Sequence, residues 1–281
     1  MAAESDPYSP ALSVIIACYN EGKMMLEAIA SAESNNRGRH EIIVVNDGST
    51  DPDTLEVLKG VEQRGIRVIH QANARLPGAR NTGIRHARGR YILPLDADNR
   101  LRPEYIDRGI DILDAQPSID VVYGDPVFFG EWSGRKRVNE FDLRYLISGN
   151  YIDACAVFRK SAWERVGGYD ENIPGGGAED WDLWVRLGVS GSKFYHVDEV
   201  LFEYCVRHDS LTMRMRESAP NDSWKKYLLG KQLTVTWGHL SDTVSWNQTA
   251  ATFRAAPLRT LARLVVSAYA PGLRRFWQRR R

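Results

Sequence analysis

The sequence predicts an α/β protein built on a mostly parallel sheet, and three observations support this. Four short runs rich in β-branched residues occupy the first hundred positions: "SVIIAC" (13–18), "EIIVVN" (41–46), "IRVIH" (66–70) and "YILPLD" (91–96). Their starts lie 28, 25 and 25 residues apart, which leaves room for one helix between each pair. The runs are nearly continuously apolar, the pattern of strands covered on both faces.

The elements follow in order. "GKMMLEAIASAES" after the first run, "PDTLEVLKGVEQRG" after the second and "PGARNTGIRHARG" before the fourth are helix-compatible. Such alternation builds βαβ units. Beyond residue 100 the pattern changes to a helix over 103–115, a strand in "DVVYGDPVFFG" and a Gly/Arg-rich turn in "EWSGRKRVNE". "YIDACAVFRKSAWERVGGY" reads as a strand and then a short helix stopped at Gly167 and Gly168. "IPGGGAEDWDLWVRLG" reads as a mobile glycine-rich loop and a helix whose first turn carries Glu179 and Asp180. Trp181, Trp184 and Val185 have the helical spacing of core residues. "KFYHVDEVLFEYCVRHDSLT" is extended again, and the sequence is helical in character from Trp224 onward. The layout is thus a tail (1–11), an α/β domain (12–215, with halves 12–100 and 101–215) and a helical region ending in a basic stretch (216–281).

Of 281 residues, 43% are hydrophobic and 26% charged, an ordinary globular balance that excludes a disordered chain. There is no run of about 18 apolar residues, so no transmembrane helix is expected. "MAAESDPYSPA" lacks the charged-then-apolar pattern of a signal peptide. Cys18, Cys155 and Cys205 are odd in number and widely spread, fitting neither a zinc pattern nor a disulfide framework, which points to a reducing compartment. The sequon at Asn247 is then incidental. A net charge of +1 hides an asymmetry: Arg254 to Arg281 holds eight arginines and no acid, while the rest carries −7.

In open α/β sheets ligands sit beyond the C-terminal ends of the strands. Here those ends run into "YNEG", "NDGSTD" and "DADN". Loops are polar in general, but polarity alone gives no reason for an acid in all three. Neither GxGxxG after the first strand nor GxxxxGK[ST] is present, which argues against a dinucleotide-binding domain and a P-loop enzyme. Asp96 and Asp98 suit either a solvated turn or a divalent-cation site, because carboxylate oxygens are natural ligands of hard metals.

Taken together, "SVIIACYNE", "EIIVVNDGSTD", "PGARNTGIRHARGRYILPLDADN", "GGAEDWDLWVRLG" and "RHDSLT" form an ordered set. It resembles the inverting glycosyltransferases of family 2, whose catalytic domain has the GT-A fold, over roughly residues 12–212. The resemblance implies a nucleotide-sugar donor, commonly a UDP-sugar, bound with Mn²⁺ or Mg²⁺. It places Tyr19 and Glu21 in the base and ribose pocket. Asp47 would accept from uracil N3–H, as an ionised carboxylate only accepts; it also suits a turn before Gly48. Arg80 would reach the nucleotide or diphosphate, unless it is a salt-bridged arginine, and Arg207 would assist at the diphosphate. Asp98 would ligate the metal and Asp96 the ribose or the metal's water, with Asn99 standing where many relatives have another Asp. His208 would close over the nucleotide and ligate the metal, a mixed site favouring Mn²⁺ over Ca²⁺. The alternative is a solvated loop histidine bonded to Asp209.

For the base that takes the acceptor's proton, the resemblance points to Asp180, with Glu179 in support. Acids in a first helical turn also simply offset the dipole. That does not account for the preceding "PGGG", which lets a loop approach a ligand closely. Two rival functions remain. A sugar-nucleotide nucleotidyltransferase wants an N-terminal glycine-rich signature with Arg and Lys, which "CYNEGKMM" lacks. An inactive glycan- or nucleotide-binding module is the other, though every expected acid is present. The expected acceptor is a glycan or lipid-linked molecule, and the expected location cytoplasmic, peripheral at the inner face of a membrane. Leu258, Leu261, Leu264, Val265 and Ala268 fall on one helical face, flanked by Arg259 and Arg263 and followed by Phe276 and Trp277 among five arginines. That stretch suits an anchor on an anionic membrane or packing on the domain. The acidic body argues against nucleic acid.

Overall fold

Each of the four β-branched runs forms a strand: β1 (Leu12–Cys18), β2 (His40–Asp47), β3 (Arg67–Gln71) and β4 (Tyr91–Asp96). The computed structural model describes residues 9–35, 38–175, 177–208, 210, 223–224 and 226–232. The three intervening segments are helices α1 (Gly22–Glu33), α2 (Pro52–Gln63) and α3 (Arg75–His86). The strands pair in parallel in the order β3-β2-β1-β4. Helix α2 starts cleanly because Asp51 accepts from Thr54 N at 2.8 Å and Pro52 occupies its first turn. Thr54 Oγ1 in turn accepts from Gly22 N at 3.1 Å, so the starts of α1 and α2 are tied together.

The second half adds β5 (Arg100–Leu101), α4 (Tyr105–Ala115), β6 (Ile119–Gly130), β7 (Gly134–Arg135), α5 (Leu143–Ser148), β8 (Val157–Arg159), α6 (Lys160–Arg165), α7 (Glu179–Val189) and β9 (Lys193–Val206). Its strands extend the same sheet as β4-β8-β6-β9-β5, with β7 paired on β6. Only β6–β9 is parallel here; β4–β8, β6–β8, β5–β9 and β6–β7 are antiparallel. The long strand expected from residue 151 shrinks to Val157–Arg159, and residues 151–156 are irregular. Within the expected Gly/Arg-rich turn lies β7, and α5 forms where no helix was expected.

Strand alternation divides the interior into two cores. Val14, Ile16, Val44, Leu93 and Leu95 pack with α1, α2 and α4 on one face. Ile15, Ile43, Val45 and Ile92 pack with α3, α5, α6 and α7 on the other. Trp184 and Val185 are buried in this second core and Trp181 packs against it, as their spacing predicts. All three cysteines are free. Among the described residues no helix is long and apolar enough to cross a membrane. The first eight residues and the arginine-rich stretch 254–281, with its amphipathic pattern, lie outside the described residues.

Candidate active site

Parallel register brings the strand ends to one edge. Ala17 is level with Asp96, Cys18 with Asn46, and Asp47 with Gln71. Asn20 joins the first two loops: it takes a left-handed φ of 59° and its Oδ1 accepts from Thr50 N and Asp51 N. Beside it Tyr19 stands 50% exposed, its ring open to a planar ligand. Asp47 is buried, and its Oδ1 accepts from Gln71 Nε2 at 2.7 Å and Ala74 N at 2.8 Å. Its Oδ2 makes no hydrogen bond among the described residues, so an acceptor remains for a ligand. The next residue must be glycine: Gly48 has φ of 76°, and a Cβ there would lie 2.8 Å from Asn73 N.

Arg80 is the hinge of the site. It is only 2% exposed, and its guanidinium donates to Asp96 Oδ1 and to Glu179 Oε1, each at 2.5 Å. The Tyr169 ring lies 5.6 Å from the guanidinium carbon. One buried cation thereby joins a strand end, Asp96, to a helix start, Glu179. The salt-bridged alternative for Arg80 describes its contacts, but the partners are acids of the site itself, Glu179 buried and Asp96 partly exposed.

Helix α7 enters sharply, with Gly177 at φ 80° and Ala178 at φ 58°. Its first turn offers Glu179, Asp180 and Asp182 to the positive end of the helix. Asp180 accepts from Trp181 N at 2.7 Å and from Asn150 Nδ2 at 2.9 Å. Burial, with the charges of Glu179 and Asp153 beside it, pushes its carboxyl up to about 8. A group of that kind takes a proton near neutral pH.

At the other end, Asp98 is raised to about 7 by burial and by the negative charges of Asp96 and Glu21. Arg207, arriving at the end of β9, lies 2.6 Å from Glu21 and 3.1 Å from Asp98. Asn99 is buried and structural: its Oδ1 accepts from Cys205 N at 2.9 Å, which ties the turn to β9. His208 does not join the two aspartates. Its side chain is 83% exposed and pairs with Glu131 Oε1 at 2.7 Å, on the neighbouring β6–β7 turn. Among the described residues no three His, Cys, Asp or Glu side chains gather into a metal cage. Mg²⁺ sites, however, commonly use one or two carboxylates and complete their shell with water and substrate phosphates. Asp98 and Asp96 fit that: hard oxygen donors, with a surplus of negative charge that a cation would relieve.

Three residues of the site escaped sequence reasoning. Asn150 orients Asp180, Tyr169 underlies Arg80, and Asp153 lies close enough to Asp96 and Arg80 to feel both charges. The one available signal was an isolated acid in the apolar run "YIDACAVF".

The Glycosyl transferase family 2 model matches residues 13–167, and that of Glycosyl transferase family group 2 matches 91–276. An uncharacterized glycosyltransferase of Rickettsia typhi is 30% identical over 74% of this chain and 68% of its own length. Chondroitin synthase of Escherichia coli is 26% identical over 77% of this chain but only 32% of its own length. An uncharacterized protein of Sinorhizobium fredii is 28% identical over 69% of this chain and 22% of its own length, so the chain spans a fraction of some relatives. In fold, S. aureus TarS 1-349 in complex with UDP-GlcNAc aligns with a TM-score of 0.60 at 19% identity, over 72% of this chain and 60% of that one. The same protein in complex with UDP gives 0.58 at 19% identity, over 84% and 73%.

Proposed function

The chain belongs to glycosyl transferase family 2, and from that premise we propose that it is a cation-assisted, inverting enzyme that moves a sugar from a UDP-sugar to a glycan hydroxyl. The supporting observation is the Arg80 bridge, which sets the strand-end acids beside the Glu179–Asp180 pair. Donor and acceptor chemistry are thereby adjacent.

The residues then take these roles. Asp47 Oδ2 accepts from the base N3–H, and Tyr19 and Glu21 cover the base and ribose. Asp98, with Asp96, holds the divalent cation. When bound, that cation neutralises charge on the departing diphosphate as a Lewis acid. Arg207 adds a second positive charge there and, while the site is free, offsets Asp98 and Glu21. Asp180 takes the acceptor's hydroxyl proton as that oxygen bonds to the anomeric carbon. The bond from that carbon to the phosphate oxygen breaks, and its electron pair leaves with UDP. A single displacement of this kind inverts the anomeric centre. Asn150 fixes the Asp180 carboxylate, and Arg80 holds Glu179 and Asp96 in register.

For the acceptor we infer a lipid-linked or free glycan, since the arginines of 254–281 suit an anionic membrane surface. The test is release of UDP from UDP-sugars with and without Mn²⁺, with mass spectrometry of the acceptor products and NMR of the new anomeric centre. Full turnover in chelator overturns the cation, and retained configuration overturns Asp180 as the base of a single displacement.

A further inference from the structure

Arg75 opens helix α3 with a backbone that its residue type resists. Its φ is 63°, in the left-handed region, where a residue with a side chain is strained and glycine is not. Such outliers persist where surrounding contacts over-determine them, and they gather at functional sites. Two sets of contacts hold this one. Arg75 N donates to Asn73 Oδ1 at 3.1 Å, in the same turn whose Ala74 N donates to Asp47 Oδ1 at 2.8 Å beside the nucleobase pocket. Its guanidinium reaches 96 and 98 residues along the chain: Nη2 donates to Glu171 O at 2.7 Å and Nη1 to Ile173 O at 3.1 Å.

The segment gripped in this way leads to the Glu179–Asp180 pair. After Ile173 come Pro174, three successive glycines and Ala178, and then Glu179, which is held on Arg80 at 2.5 Å. Glycines bring no side chains to pack and have many backbone conformations to lose. The path of this stretch is therefore set by how its two ends are held. Arg80 holds the far end. At the near end Ile173 is buried, and Glu171 Oε1 accepts from Asn81 Nδ2 at 2.7 Å and from Arg85 at 3.2 Å. Those contacts grip side chains. Arg75 grips the backbone itself, and it does so from the turn that touches Asp47.

We propose that Arg75 is a positioning residue: it pins the start of the glycine stretch to the nucleobase turn and so sets the approach of Asp180 to a sugar bound beside that turn. The inference rests on the reading of the chain as a UDP-sugar transferase, and it adds a residue that acts through the backbone of others.

Two substitutions separate this role from plain stability. Arg75→Gly removes the guanidinium and relieves the left-handed backbone, whereas Arg75→Ala removes it and keeps the strain. Arg75→Gly should therefore melt higher than Arg75→Ala, while both lose turnover alike. With UDP-GlcNAc or UDP-glucose as donor and Mn²⁺ present, kcat for UDP release should fall about tenfold to a hundredfold in both, the scale of a misplaced reacting group. KM for the donor and the calorimetric Kd for UDP should stay within about twofold of wild type. Arg75→Lys, which can still donate to a carbonyl, should recover part of the rate. Amide exchange over residues 171–175 should speed up at least about tenfold in Arg75→Gly, a readout that needs no turnover.

Wild-type kcat in Arg75→Gly beside a slow Arg75→Ala would mean that rate follows stability, and overturns the proposal. Unchanged exchange over 171–175 overturns it as well. Equal losses of UDP affinity and of rate would put Arg75 in the nucleotide pocket instead, with the same consequence. If wild-type protein binds UDP and the Arg75 variants match it in rate and exchange, only this inference fails. If it binds neither UDP nor a UDP-sugar, the donor reading fails and the inference with it.

Discussion

At Asp180 stability and chemistry pull in opposite directions. Burial beside Glu179 and Asp153 raises its carboxyl to about 8, well above the value near 4 that an Asp has in the unfolded chain. Between those values the folded protein binds more protons than the unfolded one, so this group lowers stability as pH rises from about 4 to about 8. Asp180→Asn should therefore melt higher than wild type at pH 8, with the gap closing towards pH 4 in a series of thermal melts. The same variant should lose roughly two to four orders of magnitude in transfer while still binding UDP. Normal transfer by Asp180→Asn with an inactive Glu179→Gln would move the base to Glu179. Asp47 offers a second test at this scale. Asp47→Asn keeps an acceptor for Gln71 and Ala74 but turns the other oxygen into a donor. Its UDP affinity should weaken by about 1.5–3 kcal/mol, and an unchanged calorimetric Kd would make Asp47 a turn residue only.

Helix α3 is the element that sets the site's geometry. It lies close on the sheet because Gly83 faces β1: a Cβ there would meet Ile15 Cγ2 at 2.4 Å and Val45 Cγ2 at 3.1 Å. Both neighbours are buried and cannot swing away. Arg80 precedes Gly83 by about one turn, so the depth at which α3 sits fixes where the guanidinium meets Asp96 and Glu179. Gly83→Ala should cost about 1–3 kcal/mol by overpacking, read in urea melts. It should also lower transfer, because Arg80 is lifted with its helix. A variant as stable as wild type would mean that the sheet yields more readily than this packing implies.

Across the whole molecule, a short helical stretch over 226–232 is pinned beside the acidic helix. Lys231 Nζ lies 2.5 Å from Asp170 and 2.8 Å from buried Asp182, and Tyr227 Oη donates to Asp170 at 2.8 Å. Leu228 is fully buried. Burial alone would raise Asp170, but Lys231, Asn172 N and Tyr227 hold it down at about 2. A depressed carboxyl stabilises above its unfolded value and loses that contribution as pH falls through the folded one. Lys231→Met should thus cost about 1–3 kcal/mol at neutral pH, with the Asp170 part of the loss fading towards pH 2 in melts. Further along the chain, each arginine near an anionic leaflet contributes about 1 kcal/mol of attraction at low salt. Removal of residues 256–281 should abolish co-sedimentation with anionic liposomes while sparing UDP-sugar hydrolysis. Equal sedimentation of both forms would assign that stretch to packing.

The sequence by itself determined the parallel half of the sheet, the helices that cover it and the acids at its edge. These are local facts: a β-branched run and a helical period hold whatever lies elsewhere, and the register of parallel strands then lines up Tyr19, Asp47 and Asp96. It also marked Glu179 and Asp180 at a helix start. The antiparallel half was not legible. Strand β8 is three residues long and owes its place to pairing with β4 and β6, far off in the chain. The partners of Arg80 lie 16 and 99 residues away, so no periodicity announces them. The same holds for His208, which sits on Glu131 instead of at the aspartates, and for Asp153, which looks like one acid in an apolar strand. Charge pairing and burial depend on which distant segments the packed sheet brings together, and only the tertiary structure decided that.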